Sequence, residues 1–233
     1  MPSPSLSVHE IMRELQTLGT AQNMKIFKRH GSGENVFGVS FANLNALKKR
    51  IKTNHALALD LWATKNTDAR TLATMIADPH HADERLLEEW VHDIGYYMLV
   101  DVFVTNVASQ TPFLRQKMEE WVASPDEWVA RAGWHLLARL AMSSQQLPET
   151  YFERYLDVIE RDIHQSKNRS KDAMNNALIA IGIRNAALKE KAIATATRIG
   201  KVDVDHGETW CKTPSAVPYI EKAFARKLQH TQP

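Results

Sequence analysis

The sequence predicts an all-α protein, a row of antiparallel helical hairpins running through its 233 residues. Nearly every segment with a hydrophobic period has the helical one, and β-branched runs closed by turn residues are scarce. The links between periodic segments are short, about two to five residues, so consecutive helices must fold back on one another. Pairs of helices recur roughly every 35 to 45 residues, the spacing of a stacked hairpin repeat.

The first helices are expected over 6–18, 21–28, 41–53, 55–63 and 67–76. Asn66 and Thr67 supply the cap of the fifth, and Asp68 sits in its first turn, where a negative charge is favoured. Asp78-Pro79 ends that helix, because the residue before a proline is pushed out of the helical region. Further helices are expected over 82–93, 95–109, 112–122 and 125–142, the last of these opened by Ser124-Pro125 in cap-then-proline order. The remainder are expected over 148–164, 169–183, 186–199 and 215–228, with Thr213-Pro214 opening the last one. One domain is expected over 1–233, with 200–233 as a C-terminal capping loop and helix.

The stretches LALDLWATKNTDARTLATMIADP and KMEEWVASPDEWVARAGWHLLARL share a layout: a helix end bearing aliphatic residues or Trp, a polar turn, then a helix with an Arg near its start. Units of this kind stack, as HEAT and armadillo repeats do, into a curved α-solenoid whose concave face is the binding surface.

Composition narrows the function classes. Hydrophobic residues make up 44% and charged residues 24%, which argues against disorder except at the ends. Cys211 is the single cysteine, so an intrachain disulfide and a cysteine-rich zinc site are excluded and a cytoplasmic location is expected. The opening MPSPSLSVHEIM lacks the charged and apolar regions of a signal peptide, and no stretch reaches the ~18 apolar residues of a membrane span. The 29 Lys and Arg against 27 Asp and Glu leave a formal charge of only +2. A nucleic-acid partner therefore requires positive charge gathered on one surface. Lys48, Lys49, Arg50 and Lys52 form one such cluster, and Lys167, Arg169 and Lys171 form another. The plainer account of both is a solvated helix end.

The run Ile94–Val104, IGYYMLVDVFV, is apolar or aromatic on every helical face except for Gly95 and Asp101. It reads as a helix buried on all sides, where a carboxylate is costly unless it is paired or used. Tyr97 precedes Asp101 by four residues and Asp93 precedes Tyr97 by four, so the three are expected on one stripe.

The stretch NVFGVSFANLNALKKRIKTNHALALDLWATKNTDARTLATMIADP, the YYMLVD element and SPDEWVARAGW together resemble the AlkD-type DNA alkylation repair proteins, which are HEAT-like solenoids. The likeness covers roughly Gly33 to Arg184. It implies a DNA glycosylase that releases cationic N3- or N7-alkylated purines from duplex DNA without extruding the base, and it calls for no cofactor and no metal. Asp101 falls at the family's central acid, and Tyr97 stands where the family usually has Trp. Trp128-Val129-Ala130-Arg131 matches the element that carries the family's catalytic Arg. A second family Trp has no counterpart, its position falling near Ile181.

The resemblance implies definite roles. Alkylation puts positive charge on the purine and makes it a good leaving group, so the sugar moves toward an oxocarbenium ion. Asp101 would offset that charge and orient water, Tyr97 would offer a π face, and Arg131 would grip the neighbouring phosphate. Structural accounts compete with each. Asp101 can be a buried acid bonded to Arg131, Tyr97 or Asn106, and Arg131 can pair with Glu127, Asp126 or Asp101. Tyr97 can be plain core, and Trp62, Trp90, Trp121, Trp128 and Trp134 are expected to pack at hairpin interfaces. The alternative function is a catalytically silent solenoid that binds DNA or a protein through the same face.

Two further stretches stand out. The helix NRSKDAMNNALIAIGIRN carries small residues for close packing, and Arg169 and Lys171 lie in its first turn beside backbone N–H groups suited to a phosphate. The segment KVDVDHGETWCKTPSAVPYIEKA gathers Asp203, Asp205, His206, Glu208 and Cys211, but the spacing fits neither zinc nor calcium, and no oxyanion element accompanies the thiol. An ordered loop packing back onto the helices is the expectation there.

Overall fold

The computed structural model describes residues 7–143 and 146–231, so residue 6 of the first expected helix lies outside it. The described residues form thirteen α-helices and no β-strand, with one isolated antiparallel bridge between Gly19 and Val39. Backbone contacts gather them into two compact units. The first, residues 1–113 with 207–209, holds α1 (Val8–Leu18), α2 (Ala21–Arg29), α3 (Phe41–Ile51), α4 (His55–Ala63), α5 (Thr67–Ile76), α6 (Glu84–His92) and α7 (Tyr97–Asn106). The second, residues 114–206 with 210–233, holds α8 (Leu114–Trp121), α9 (Glu127–Ser143), α10 (Glu149–Asp162), α11 (Asn168–Arg184), α12 (Ala186–Ile199) and α13 (Ala216–Thr231). The all-α prediction holds, and each expected helix is present. No helix among the described residues is long and apolar enough to cross a membrane.

The helix buried on nearly every face is α5, not α7. All of Thr67–Thr74, and Ile76, are buried. Its polar groups are all answered. Thr67 Oγ1 donates to Ser32 O at 2.9 Å, and Arg70 donates to Trp62 O at 3.1 Å and to Asp93 Oδ2 at 2.7 Å. Asp68, 2% exposed, accepts the backbone N–H groups of Phe37, Gly38 and Val39 at 2.6, 3.1 and 2.9 Å. One carboxylate thus fastens the loop before α3 onto the start of α5. Beside it Trp62 and Trp90 stack in parallel, 4.0 Å between ring centres, with Phe103 against both. These indoles are packing residues, as expected.

In the second unit, α9 and α11 lie side by side as its two longest helices. Lys167 stands at the N-cap position of α11, and its ammonium cannot accept a hydrogen bond. The missing acceptor comes from α9: Glu127 Oε1 takes Arg169 N–H at 2.6 Å, and Glu127 O takes the Ser170 hydroxyl at 3.0 Å. Gly182 lets fully buried Ile220 of α13 and Ala192 of α12 close onto α11.

Gly133 does the same for α8 and α9. A Cβ there would collide with Val122 N and lie 2.6 Å from Trp121 C, atoms of the backbone that cannot swing aside. Gly133→Ala should therefore destabilise the protein by roughly 2 kcal/mol, the overpacking cost exceeding the ~1 kcal/mol that Ala gains over Gly in a helix. Urea unfolding of the variant checks this, and a stabilised variant would mean the helices separate freely.

Candidate functional site

Helix α7 positions the expected acid. Its inner face carries Leu99, Val100, Phe103 and Val104 into the core, while Tyr97, Met98, Asp101, Val102 and Thr105 are only half-buried. The expectation of a helix buried all round is corrected: one stripe is open, and Asp101 lies on it with Tyr97. Asp93 does not share that stripe. The chain leaves the helix at Asp93, which is the C-cap of α6, and re-enters at Tyr97. Asp93 serves elsewhere, accepting from Arg70 and, at 3.3 Å, from Trp62 Nε1. Burial lowers the pKa of the Arg70 guanidinium, and Asp93 opposes that shift.

Tyr97 is committed within the first unit. Its hydroxyl and His30 Nδ1 are hydrogen-bonded at 2.8 Å, and the rings lie 6.0 Å apart. Tyr96 meets it edge-on at 5.3 Å. Asn106, weighed as a partner of Asp101, donates to Thr74 Oγ1 at 3.2 Å.

In the second unit Arg131 is 4% exposed. Its Nη1 donates to Asp172 Oδ2 at 2.7 Å and to Arg169 O at 3.1 Å. Asp172, an acid of α11, is a partner that local spacing did not suggest. Asp126 caps α9 through the N–H groups of Trp128 and Val129. Ile181, near which the resemblance would place a second family Trp, is fully buried. No ring is offered there.

Each unit carries one of the two basic clusters. Lys48, Lys49 and Arg50 occupy the last turn of α3, and Lys52 caps it at φ 62°. All four are exposed. Arg50 is joined to Glu14 by two bonds, one of them at 2.9 Å, which leaves the three lysines as the cluster's unbonded charge among the side-chain bonds of this region. In the second cluster Lys167 Nζ donates to Pro125 O at 2.8 Å, and Arg169 and Lys171 are half-buried. At the first turn of α11, where a phosphate seat was expected, Glu127 takes the Arg169 N–H and sets a carboxylate beside it.

The polar tail packs back as expected. Asn168 and Asp205 exchange two bonds, at 2.6 and 2.7 Å, and Asn175 donates to Pro214 O at 3.0 Å. His206 Nε2 meets Thr213 Oγ1 at 2.9 Å. Along 201–206 exposure alternates, so that Val202, Val204 and His206 turn toward a cavity of about 680 Å3 between this segment, α12 and the start of α13. Cys211 is exposed, and among the described residues no cluster of His, Cys, Asp and Glu is arranged to hold a metal.

Sequence reasoning did not find His30 as the partner of Tyr97, Asp172 as that of Arg131, or Asp68 and Glu127 as acceptors of distant backbone N–H groups. Each acts across more than twenty-five residues of chain, where local periodicity carries no signal.

Residues 11–217 match the family model described as DNA alkylation repair enzyme. Two uncharacterized proteins, from Listeria innocua and Listeria monocytogenes, are each 28% identical over 228 residues, spanning 95% of this chain and 99% of the relative. A solved structure of 32% identity superposes with a TM-score of 0.86 over 95% of both chains. It is described as representing a new family of proteins related to the HEAT-like repeat DNA glycosylases, with affinity for branched DNA structures.

Proposed function

Since this chain belongs to the DNA alkylation repair enzyme family, we propose that it is a HEAT-like DNA-binding protein that engages branched DNA and does not excise alkylated purines. The observation that carries this reading is the commitment of the would-be catalytic groups. The Tyr97 hydroxyl is spent on His30, and Arg131 is buried against Asp172. Ile181, near which the resemblance would place a second family Trp, lies in the core. An oxocarbenium-like sugar needs a negative charge and a π face aimed at it together; the bond to His30 fixes the Tyr97 ring within the first unit, and no second ring is offered at Ile181. The affinity of the solved relative for branched DNA supports the choice of ligand.

Lys48 and Lys49 are the residues best placed to meet a phosphate backbone, being exposed on the last turn of α3. The test incubates the protein with duplex containing 7-methylguanine or 3-methyladenine, follows free base, and measures affinity for a four-way junction and for linear duplex across a salt series. No base release, with salt-sensitive preference for the junction, is the expected result. Lys48→Glu with Lys49→Glu should weaken binding to both DNAs and lower the slope of log K against log salt by about two. Base release by the wild type and none by Asp101→Asn would overturn the silent reading and make Asp101 the catalytic acid.

A further inference from the structure

The sixth tryptophan behaves unlike the others. Trp62, Trp90, Trp121 and Trp134 are at most 5% exposed, whereas Trp210 is 99% exposed. Single exposed apolar residues are ordinary on a surface. A fully solvated indole held by an ordered loop is a different matter, because Trp carries the largest apolar face of any side chain and gives it up here to water. The loop is tied on both sides of the ring. Before it stand the two Asn168–Asp205 bonds; across it runs the His206–Thr213 bond; after it comes Asn175 holding Pro214. The ring is therefore presented on a frame whose ordering entropy has been met in advance.

The charge that the loop itself carries narrows the target. Asp203, Asp205 and Glu208 are exposed, and Lys201 is paired with Asp203. With Lys212 the only other base, acids outnumber bases over 201–212. Such a loop is repelled by the phosphates lining an unbroken duplex. Its indole can find a partner where bases are unpaired and strands splay, since a base that has lost its neighbour offers a bare π face.

We propose that Trp210 is a stacking residue for an unpaired base at a DNA branch point, and that it contributes to discrimination of branched from linear DNA. The inference rests on the branched-DNA reading above.

The experiment measures affinity for a forked duplex with unpaired arms and for a linear duplex of equal length, using wild type, Trp210→Ala and Trp210→Phe. Trp210→Ala should lose about tenfold in affinity for the fork and little for the duplex, and Trp210→Phe should keep most of the preference. Because the ring touches nothing that holds the fold, the melting temperature of Trp210→Ala should match wild type. A wild-type preference for the fork that Trp210→Ala retains in full would overturn the role of Trp210 and leave the branched-DNA reading standing. A wild type with no preference for the fork would remove both. A Trp210→Ala variant with unchanged DNA binding that loses self-association on a sizing column would also overturn it, assigning the ring to a second copy of the chain.

Discussion

Arg131→Ala lowers stability by about 3–5 kcal/mol, an expected loss that follows from what the substitution leaves behind. Asp172 lies on α11 with its side chain 13% exposed, and Arg131 is 5% exposed by the same measure. Removing the guanidinium strands a carboxylate in a site that water reaches poorly, and it also strips a donor from Arg169 O. Arg131→Lys should recover only part of the loss, because one ammonium on a flexible stem does not reproduce a planar fork set between two acceptors. Removing both charges, with Asp172→Ala added to Arg131→Ala, should be milder than the sum of the single changes, since the Asp172 carboxylate is then no longer stranded. Urea unfolding of the four proteins reads this directly. The family resemblance gives Arg131 a different task, a grip on phosphate. If that were its main role, Arg131→Ala would leave the unfolding midpoint in place and lower only DNA affinity and its salt slope.

The two accounts of Arg131 differ because sequence shows a residue's local neighbours and not its distant ones. Helices α4, α5 and α12 begin and end where the sequence places them, and each has a cap written beside it: Asn54, Asn66 and Asn185 each accept an N–H from the helix's own first turn. Helix α7 starts two residues later than expected, since Tyr96 at its N-cap makes no side-chain bond and the apolar run Ile94–Tyr96 looks the same in a helix as in a buried link. That uncertainty is what misplaced Asp93, because spacing of four residues puts groups on one stripe only while the helix is unbroken. The start of α11 was legible to within one residue, but its acceptor, Glu127, comes from another hairpin. A turn rich in Lys and Arg beside apparently open N–H groups therefore looked like an anion seat. The opening of one stripe of α7 could not be read either. An apolar helix in a hairpin repeat is buried as far as its neighbours cover it, and coverage belongs to tertiary packing.

The same contrast between local sequence and distant partner gives the second large effect. Asp68 looks like an ordinary first-turn acid, yet its carboxylate holds three backbone N–H groups from residues about thirty positions earlier. Asp68→Ala should cost about 3–5 kcal/mol, because buried amides without an acceptor carry their full desolvation penalty. Asp68→Asn should cost less but remain clearly destabilising. Phe37 and Gly38 donate to one oxygen and Val39 to the other, so an amide must turn its NH2 toward at least one N–H. The pH dependence runs against the usual course for an acid. Burial raises the Asp68 pKa above its ordinary 3.8, and the bonds from Val39, Phe37 and Gly38 only partly offset that rise. A carboxyl with a raised folded pKa contributes most to stability below its unfolded pKa, and that contribution is lost as pH rises through the folded value. Between pH 3.8 and the raised value, wild type should therefore lose stability relative to Asp68→Asn as pH increases, whereas above it the difference should be flat. Unfolding midpoints of the two proteins between about pH 3 and 7 measure this. A difference that grows in wild type's favour as pH rises through that window would show that the three amides, and not burial, set the ionisation of Asp68.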